Sequence, residues 1–186
     1  MPPLFQQERF LSLDDCLAAR RAMDVGESQD AEILAEGIHV QTTIRRAALI
    51  EPASSLVDGI GAQLESCRSR VAASLRIPLG KREGASFIRY LPGGFYRPHR
   101  DRGTDPEWEL AARRAVALVL FLNTSRDAGA GGDFDGGVLR LFMSHQDVDV
   151  IPEAGLLVAF RADALHEVTE VRGGIRDAVV DWFYDA

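Results

Sequence analysis

Apolar positions along this chain change period partway. In the first part they recur every three to four residues, the signature of helices that bury one face. Ser12 can cap a helix carrying Leu13, Cys16, Leu17 and Met23, with Asp15 in its first turn. A second helix is expected from Ser54 or Ser55. It aligns Leu56, Ile60, Leu64, Cys67, Val71 and Leu75 on one stripe and ends at Pro78 and Gly80. Residues 26–50 follow no clear period, although Ile38 to Ile44 alternates loosely, as a strand or extended arm would.

From Ala85 the texture becomes β-type. Eight short runs follow: ASFIRY, FYRPHRD, AVALVLFL, GVLRLF, DVDVI, LLVAF, HEVTEV and IRDAVVDWFY. Turn signals separate them, among them Pro92-Gly93-Gly94 and Gly173-Gly174. Runs of this length and spacing predict a two-sheet jelly-roll barrel, with the preceding helices bracing one sheet's outer face. The expected class is therefore mostly β with N-terminal helices (α+β), in a single domain over 1–186. Residues 1–84 form its helical support and 85–186 its double-stranded core. The segment 102–114 interrupts the pattern and is expected to form a loop with a short helix. It could act as a lid over a site, with Trp108 touching substrate or merely packing the segment down.

Composition narrows the function. In 186 residues, 28 acidic side chains outweigh 21 basic ones, for a net charge of −7. Phosphate neutralisation needs the opposite balance, which argues against a nucleic-acid partner and against a membrane surface. The longest apolar run, Ala115 to Leu122, is too short to span a bilayer. MPPLFQQERF lacks the basic-then-apolar order of a secretory signal, so a cytoplasmic setting is expected. Two cysteines, Cys16 and Cys67, are too few for a disulfide framework and read as buried thiols.

Three positions could carry chemistry together. Side chains two apart on a strand share a face, so His99 and Asp101 would aim an imidazole and a carboxylate at one point. Alone, such a pair is equally a surface contact. His166 opens a later run that a jelly roll can bring beside the first. Two histidines and one carboxylate leave half an octahedron open, the arrangement of non-haem Fe(II) oxygenases. In the last run, Arg176, Ala178, Val180, Trp182 and Tyr184 share the face expected to point inward, and Asp177, Val179, Asp181, Phe183 and Asp185 the outward one. A buried Arg176 needs an anion, either an unseen acidic side chain or a ligand carboxylate. His39 and His145 read as exposed polar residues.

The stretches FIRYLPGGFYRPHRD, LVLFLN, GGVLRLF, GLLVAF, LHEVTEV and GIRDAVVDWFY, over Ala85 to Ala186, resemble the prolyl-4-hydroxylase-like family of 2-oxoglutarate/Fe(II) oxygenases. The resemblance rests on His-x-Asp, a distant His, and a basic residue ten positions later, here His99, Asp101, His166 and Arg176. It implies a double-stranded β-helix with Fe(II) on the first three of these residues. Arg176 would pair with the distal carboxylate of 2-oxoglutarate, and Tyr90 would either hydrogen-bond that group or simply pack in the core. O2 would be the oxidant and ascorbate an accessory reductant, with succinate and CO2 released as a peptidyl, prolyl or small-molecule substrate is hydroxylated. The presence of Asp101 favours hydroxylation, because related halogenases lack that carboxylate. Nucleic-acid demethylases of this fold carry a second arginine six positions on, where Trp182 stands here, and collagen-type prolyl hydroxylases use lysine at the Arg176 position. Arg89, Arg97, Arg100, Arg102, Arg140 and Arg161 would be either scattered charge or a positive rim for an anionic substrate. A cupin-like metal-binding module, or a sensor that binds 2-oxoglutarate without turnover, shares much of this pattern.

Overall fold

The computed structural model describes residues 4–31, 33–34, 38–39, 43–103, 109–129 and 131–186. The chain opens with β1 (Leu4–Gln7) and α1 (Leu13–Val25), where the Ser12 hydroxyl accepts the Asp15 N–H at 3.1 Å, the cap that the sequence foretells. Then come β2 (Glu27–Asp30), the two-residue strands β3 (Ile33–Leu34), β4 (Ile38–His39) and β5 (Arg45–Arg46), and β6 (Ala48–Glu51). The expected second helix is broken at Cys67 into α2 (Ser54–Ser66) and α3 (Arg68–Leu75). It stops at Arg76, which takes the left-handed conformation at φ 56°, before Pro78 is reached. β7 (Leu79–Arg82) closes this part. The first 84 residues are thus not only helical: among the described residues they supply four strands to the larger sheet.

The rest comprises β8 (Ser86–Tyr90), β9 (Phe95–His99), the short α4 (Glu109–Ala112), β10 (Arg114–Phe121), β11 (Asp135–Gly136), β12 (Leu139–Leu141), β13 (Val148–Val150), β14 (Leu157–Arg161), β15 (His166–Val168), β16 (Val171–Gly173) and β17 (Arg176–Asp185). The larger sheet runs β1-β14-β10-β17-β8-β6-β2, with β7 added beside β17. The smaller runs β13-β12-β15-β9-β5, and every pairing within both is antiparallel. This is the mostly β, helix-braced jelly roll that the run spacing predicts, the double-stranded β-helix that the resemblance implies.

Two cores explain the layering. α1, α2 and α3 bury Cys16, Met23, Ile60, Leu64, Cys67 and Val71 against the outer face of the larger sheet. Leu13 and Leu17, expected on the buried stripe of α1, are instead 69% and 44% exposed, because Cys16, Ala19 and Met23 define the packed face. Between the sheets lie Val119, Phe121, Leu139, Leu141, Val158 and Phe160. On β17 the alternation holds: Val179 and Phe183 face the helices, while Ala178, Val180 and Trp182 face the opposite sheet. The outward set does not meet solvent, however. Asp177 and Asp181 are fully buried beneath the helices and paired with arginines. Asp177 accepts from Arg89 at 2.7 and 3.0 Å and from Arg20 at 3.2 Å; Asp181 pairs with Arg82. Among the described residues no helix is long and apolar enough to cross a membrane.

Candidate active site

His99 is the last residue of β9 and His166 the first of β15, and antiparallel pairing sets them directly opposite one another. Their rings lie 4.2 Å apart between centroids. Asp101 is not on the strand, as the i, i+2 reading assumed, but in the bend just beyond it. That bend is fastened by the Asp101 and Arg102 N–H groups, both donating to the Ala162 carbonyl at 2.9 Å. The carboxylate is thereby turned back onto the histidines. Oδ1 lies 3.4 Å from His99 Nε2, and Oδ2 lies 3.6 Å from His166 Nε2. One donor atom from each residue falls within 4.8 Å of the others.

Backbone carbonyls set the tautomers. His99 Nδ1 sits 2.8 Å from the Arg97 carbonyl and His166 Nδ1 sits 3.0 Å from that of Ala164. A carbonyl only accepts, so each Nδ1 carries the proton and each Nε2 presents its lone pair to the shared space. Burial, opposed by the Asp101 charge, lowers the pKa of His166 and keeps its imidazole neutral. Burial also raises Asp101, but His166, His99 and the Trp182 indole outweigh it and hold the carboxyl well below the usual range. Two imidazoles and one carboxylate, with their donor atoms turned to one shared space, fit a divalent metal such as Fe(II). Tyr96 stacks on His99 at 3.4 Å and the edge of Phe160 meets His166 at 4.8 Å, so both rings are also held by packing.

The facing sheet contributes the other half of the site. Arg176 on β17 is the register partner of Tyr90 on β8. Both line the same cavity as the His–Asp–His cluster, which holds about 350 Å³. Arg176 is 2% exposed; its Nε donates to the Gly137 carbonyl at 2.9 Å, and its guanidinium lies 4.9 Å from the Tyr90 ring and 5.2 Å from that of Phe121. No described carboxylate forms an ion pair with it, and burial pushes its pKa down. A buried cation left in this state is stabilised by an anionic ligand, and the planar fork suits a carboxylate. The residues therefore fit a dicarboxylate such as 2-oxoglutarate.

The sequence reading missed the groups around Asp101. Trp182 Nε1–H donates to Asp101 Oδ2 at 3.0 Å. Arg114 lies 3.8 Å over the Trp182 ring, grips Glu83 at 2.6 and 2.5 Å, and reaches the Asp101 carbonyl at 3.3 Å. Only the inward position of Trp182 on β17 hinted at this. The positive rim is largely neutralised: Arg102 pairs with Asp185, Arg140 with Asp149, Arg161 with Asp163, and Arg89 with Asp177 and Asp24, while Arg100 donates to the Asp163 carbonyl. Arg97 alone of the six lies over an aromatic ring, that of Phe95, with no ion pair among the described residues. His145 is exposed in a bend, as expected. The backbone of His39 belongs to β4 while its side chain lies outside the described residues, as do residues 104–108 of the proposed lid, Trp108 among them.

A helix-braced double-stranded β-helix with a His-x-Asp…His cluster on one sheet and a buried arginine on the other defines an Fe(II)/2-oxoglutarate type of site. Residues 85–184 match the 2OG-Fe(II) oxygenase superfamily, and the chain belongs to that family. It is 32% identical over 93 residues to a PKHD-type hydroxylase of Synechococcus sp. (strain JA-2-3B'a(2-13)), covering 50% of this chain and 39% of that protein. A PKHD-type hydroxylase of Sphingopyxis alaskensis is 29% identical over 90 residues. The chain spans about two fifths of the length of the curated relatives it matches. Among solved structures, a Pseudomonas putida prolyl-4-hydroxylase superposes with a TM-score of 0.74 at 32% identity, over 100% of this chain and 94% of that one. A Trichoplax adhaerens prolyl hydroxylase, solved with a hypoxia inducible factor peptide, shares the fold at a TM-score of 0.70 and 20% identity, covering 100% of this chain and 84% of that one.

Proposed function

We propose that the protein is a 2-oxoglutarate- and Fe(II)-dependent dioxygenase that hydroxylates a prolyl residue of a peptide, releasing succinate and CO2. The observation that carries this reading is Arg176: a buried guanidinium with no described carboxylate partner, lining the same cavity as a preset His–Asp–His donor set. Simple metal storage has no use for that arginine; a dicarboxylate co-substrate does. Likeness along the whole chain to a prolyl-4-hydroxylase supports the peptidyl-proline substrate.

In this reading His99, Asp101 and His166 hold the metal through both Nε2 atoms and a carboxylate oxygen. Arg176, with Tyr90 beside it, binds the distal carboxylate of 2-oxoglutarate. Bound there, Fe(II) supplies the oxygen activation that couples decarboxylation of 2-oxoglutarate to hydroxylation. The chain's own work is placement. Arg97 and Ala164 carbonyls lock the imidazole tautomers, and Val119, Leu139 and Val180 give the cavity apolar walls that limit water. The two free, buried thiols suit a reducing, cytoplasmic setting.

The test is succinate formation by protein given Fe(II), 2-oxoglutarate, ascorbate and air, alone, with proline-containing peptides, and with free amino acids and other small metabolites. Turnover that rises with such a peptide, and hydroxyproline in its mass spectrum, is the expected result. Stimulation only by small metabolites would redirect the substrate assignment. Binding of Fe(II) and 2-oxoglutarate without succinate under any of these conditions would identify a sensor and sink the enzyme reading.

A further inference from the structure

Asp101 has two oxygens, and the protein treats them differently. Oδ2 accepts the indole N–H of Trp182 at 3.0 Å, whereas Oδ1 faces His99 Nε2 at 3.4 Å and accepts no comparable N–H from a described side chain. Trp182 is itself held. The Arg114 guanidinium lies 3.8 Å over its ring, and Arg114 is fixed in turn by its two-pronged contact with Glu83 and by the Asp101 carbonyl. The chain of contacts therefore starts and ends on Asp101, once at its backbone and once at its carboxylate. All three helpers come from elements of the larger sheet or its edge, across the cavity from the histidines.

We propose that Trp182, clamped by Arg114 and Glu83, is a positioning residue that occupies one Asp101 oxygen and so limits this carboxylate to one-oxygen donation. The inference rests on the metal reading above. Its chemical sense is coordination number. A carboxylate free to rotate can offer both oxygens to a divalent ion, which takes a position that the co-substrate and O2 need. An N–H donor fixed on Oδ2 opposes that rotation and also orients the remaining oxygen, as outer partners of metal ligands do. Nothing in the sequence could show this, because the contact depends on how β17 crosses beneath the bend after β9.

The test is Trp182→Phe, which keeps an aromatic ring under Arg114 and removes the N–H. Co(II) is titrated into wild type and variant, reading both the dissociation constant and the shape of the visible absorption bands, which report donor number. Thermal unfolding without metal runs alongside. The expected result is a Co(II) affinity weakened about tenfold or more and a changed band shape, with the metal-free unfolding temperature little altered. Equal affinity and superimposable bands in the two proteins would overturn the positioning role. So would an affinity loss with unchanged bands, since that is what general loosening produces. If wild type itself takes up no Co(II), the metal reading falls and this inference falls with it. Should Trp182→Phe fail to fold, Glu83→Gln, which loosens Arg114 from outside the cluster, must weaken Co(II) affinity and change the band shape relative to wild type, or the proposal is wrong.

Discussion

His99 and His166, distant in sequence, are direct cross-strand partners, their rings 4.2 Å apart where the smaller sheet meets the cavity. Register alone brings them together, so the pair is as rigid as the strands that carry it. Asp101 completes the set from a bend pinned to Ala162. His99→Ala or His166→Ala should abolish Co(II) or Mn(II) binding, measured by titration, while leaving the circular dichroism spectrum unchanged. Retained metal affinity in both variants would place the metal elsewhere.

Arg176 predicts a different defect. Arg176→Met removes the guanidinium but keeps an unbranched apolar stem, and should weaken 2-oxoglutarate binding by about ten- to a hundredfold, the worth of a charged hydrogen-bonding group. Metal affinity should stay near wild type. Gly137→Ala should give a milder version of the same defect. Gly137 sits at φ +62°, and an added Cβ would lie 2.6 Å from Arg176 Cδ, forcing that side chain to shift. Isothermal titration with the metal-loaded protein reads both. A co-substrate affinity unchanged in Arg176→Met would remove this arginine from the site.

On the helix side of β17, Asp177 is fully buried and accepts from Arg89 and Arg20. Asp177→Asn leaves two guanidinium groups facing an uncharged amide. A loss of about 3 kcal/mol in urea unfolding is expected, the usual cost of removing one partner from a buried pair. A loss under 1 kcal/mol would show that water reaches the arginines freely.

Cys16 and Cys67 set the alkaline limit. Burial pushes both thiols up to about 11, against smaller lowering effects from nearby backbone and arginine groups. In the unfolded chain they ionise near pH 8.5 (about the free value). Between roughly these limits the folded state holds protons that the unfolded state releases, so stability falls as pH rises. Each thiol contributes at most about 3–4 kcal/mol to this decline. The Cys16→Ala/Cys67→Ala variant should show a flatter stability profile above pH 8.5. An identical slope in the two proteins would show that the thiols are not the cause.

How much of this was legible in the chain follows from what each feature depends on. His99, Asp101 and His166 stood out by residue type and spacing, Arg176 by face alternation along the last run and Tyr90 only through the family resemblance; the structure gathers all five around one cavity. The eight β runs were readable for the same reason. The strands β1, β2, β6 and β7 were not: they lie beside helices in sequence and owe their form to pairing with distant strands such as β14 and β8. Asp177 and Asp181 looked solvent-facing because alternation gives a side, not what covers it. Trp182, in sequence merely the residue where another branch of the fold has arginine, gains its role from a hydrogen bond to Asp101 across the cavity.

The most direct measurement is an anaerobic titration of 2-oxoglutarate into the Fe(II)-loaded protein, followed by the visible metal-to-ligand charge-transfer absorption. A band should grow and saturate in wild type, be absent in His99→Ala, and require much more 2-oxoglutarate in Arg176→Met. Wild-type protein that binds Fe(II) yet develops no band at saturating 2-oxoglutarate would contradict the assignment of this cavity to the co-substrate.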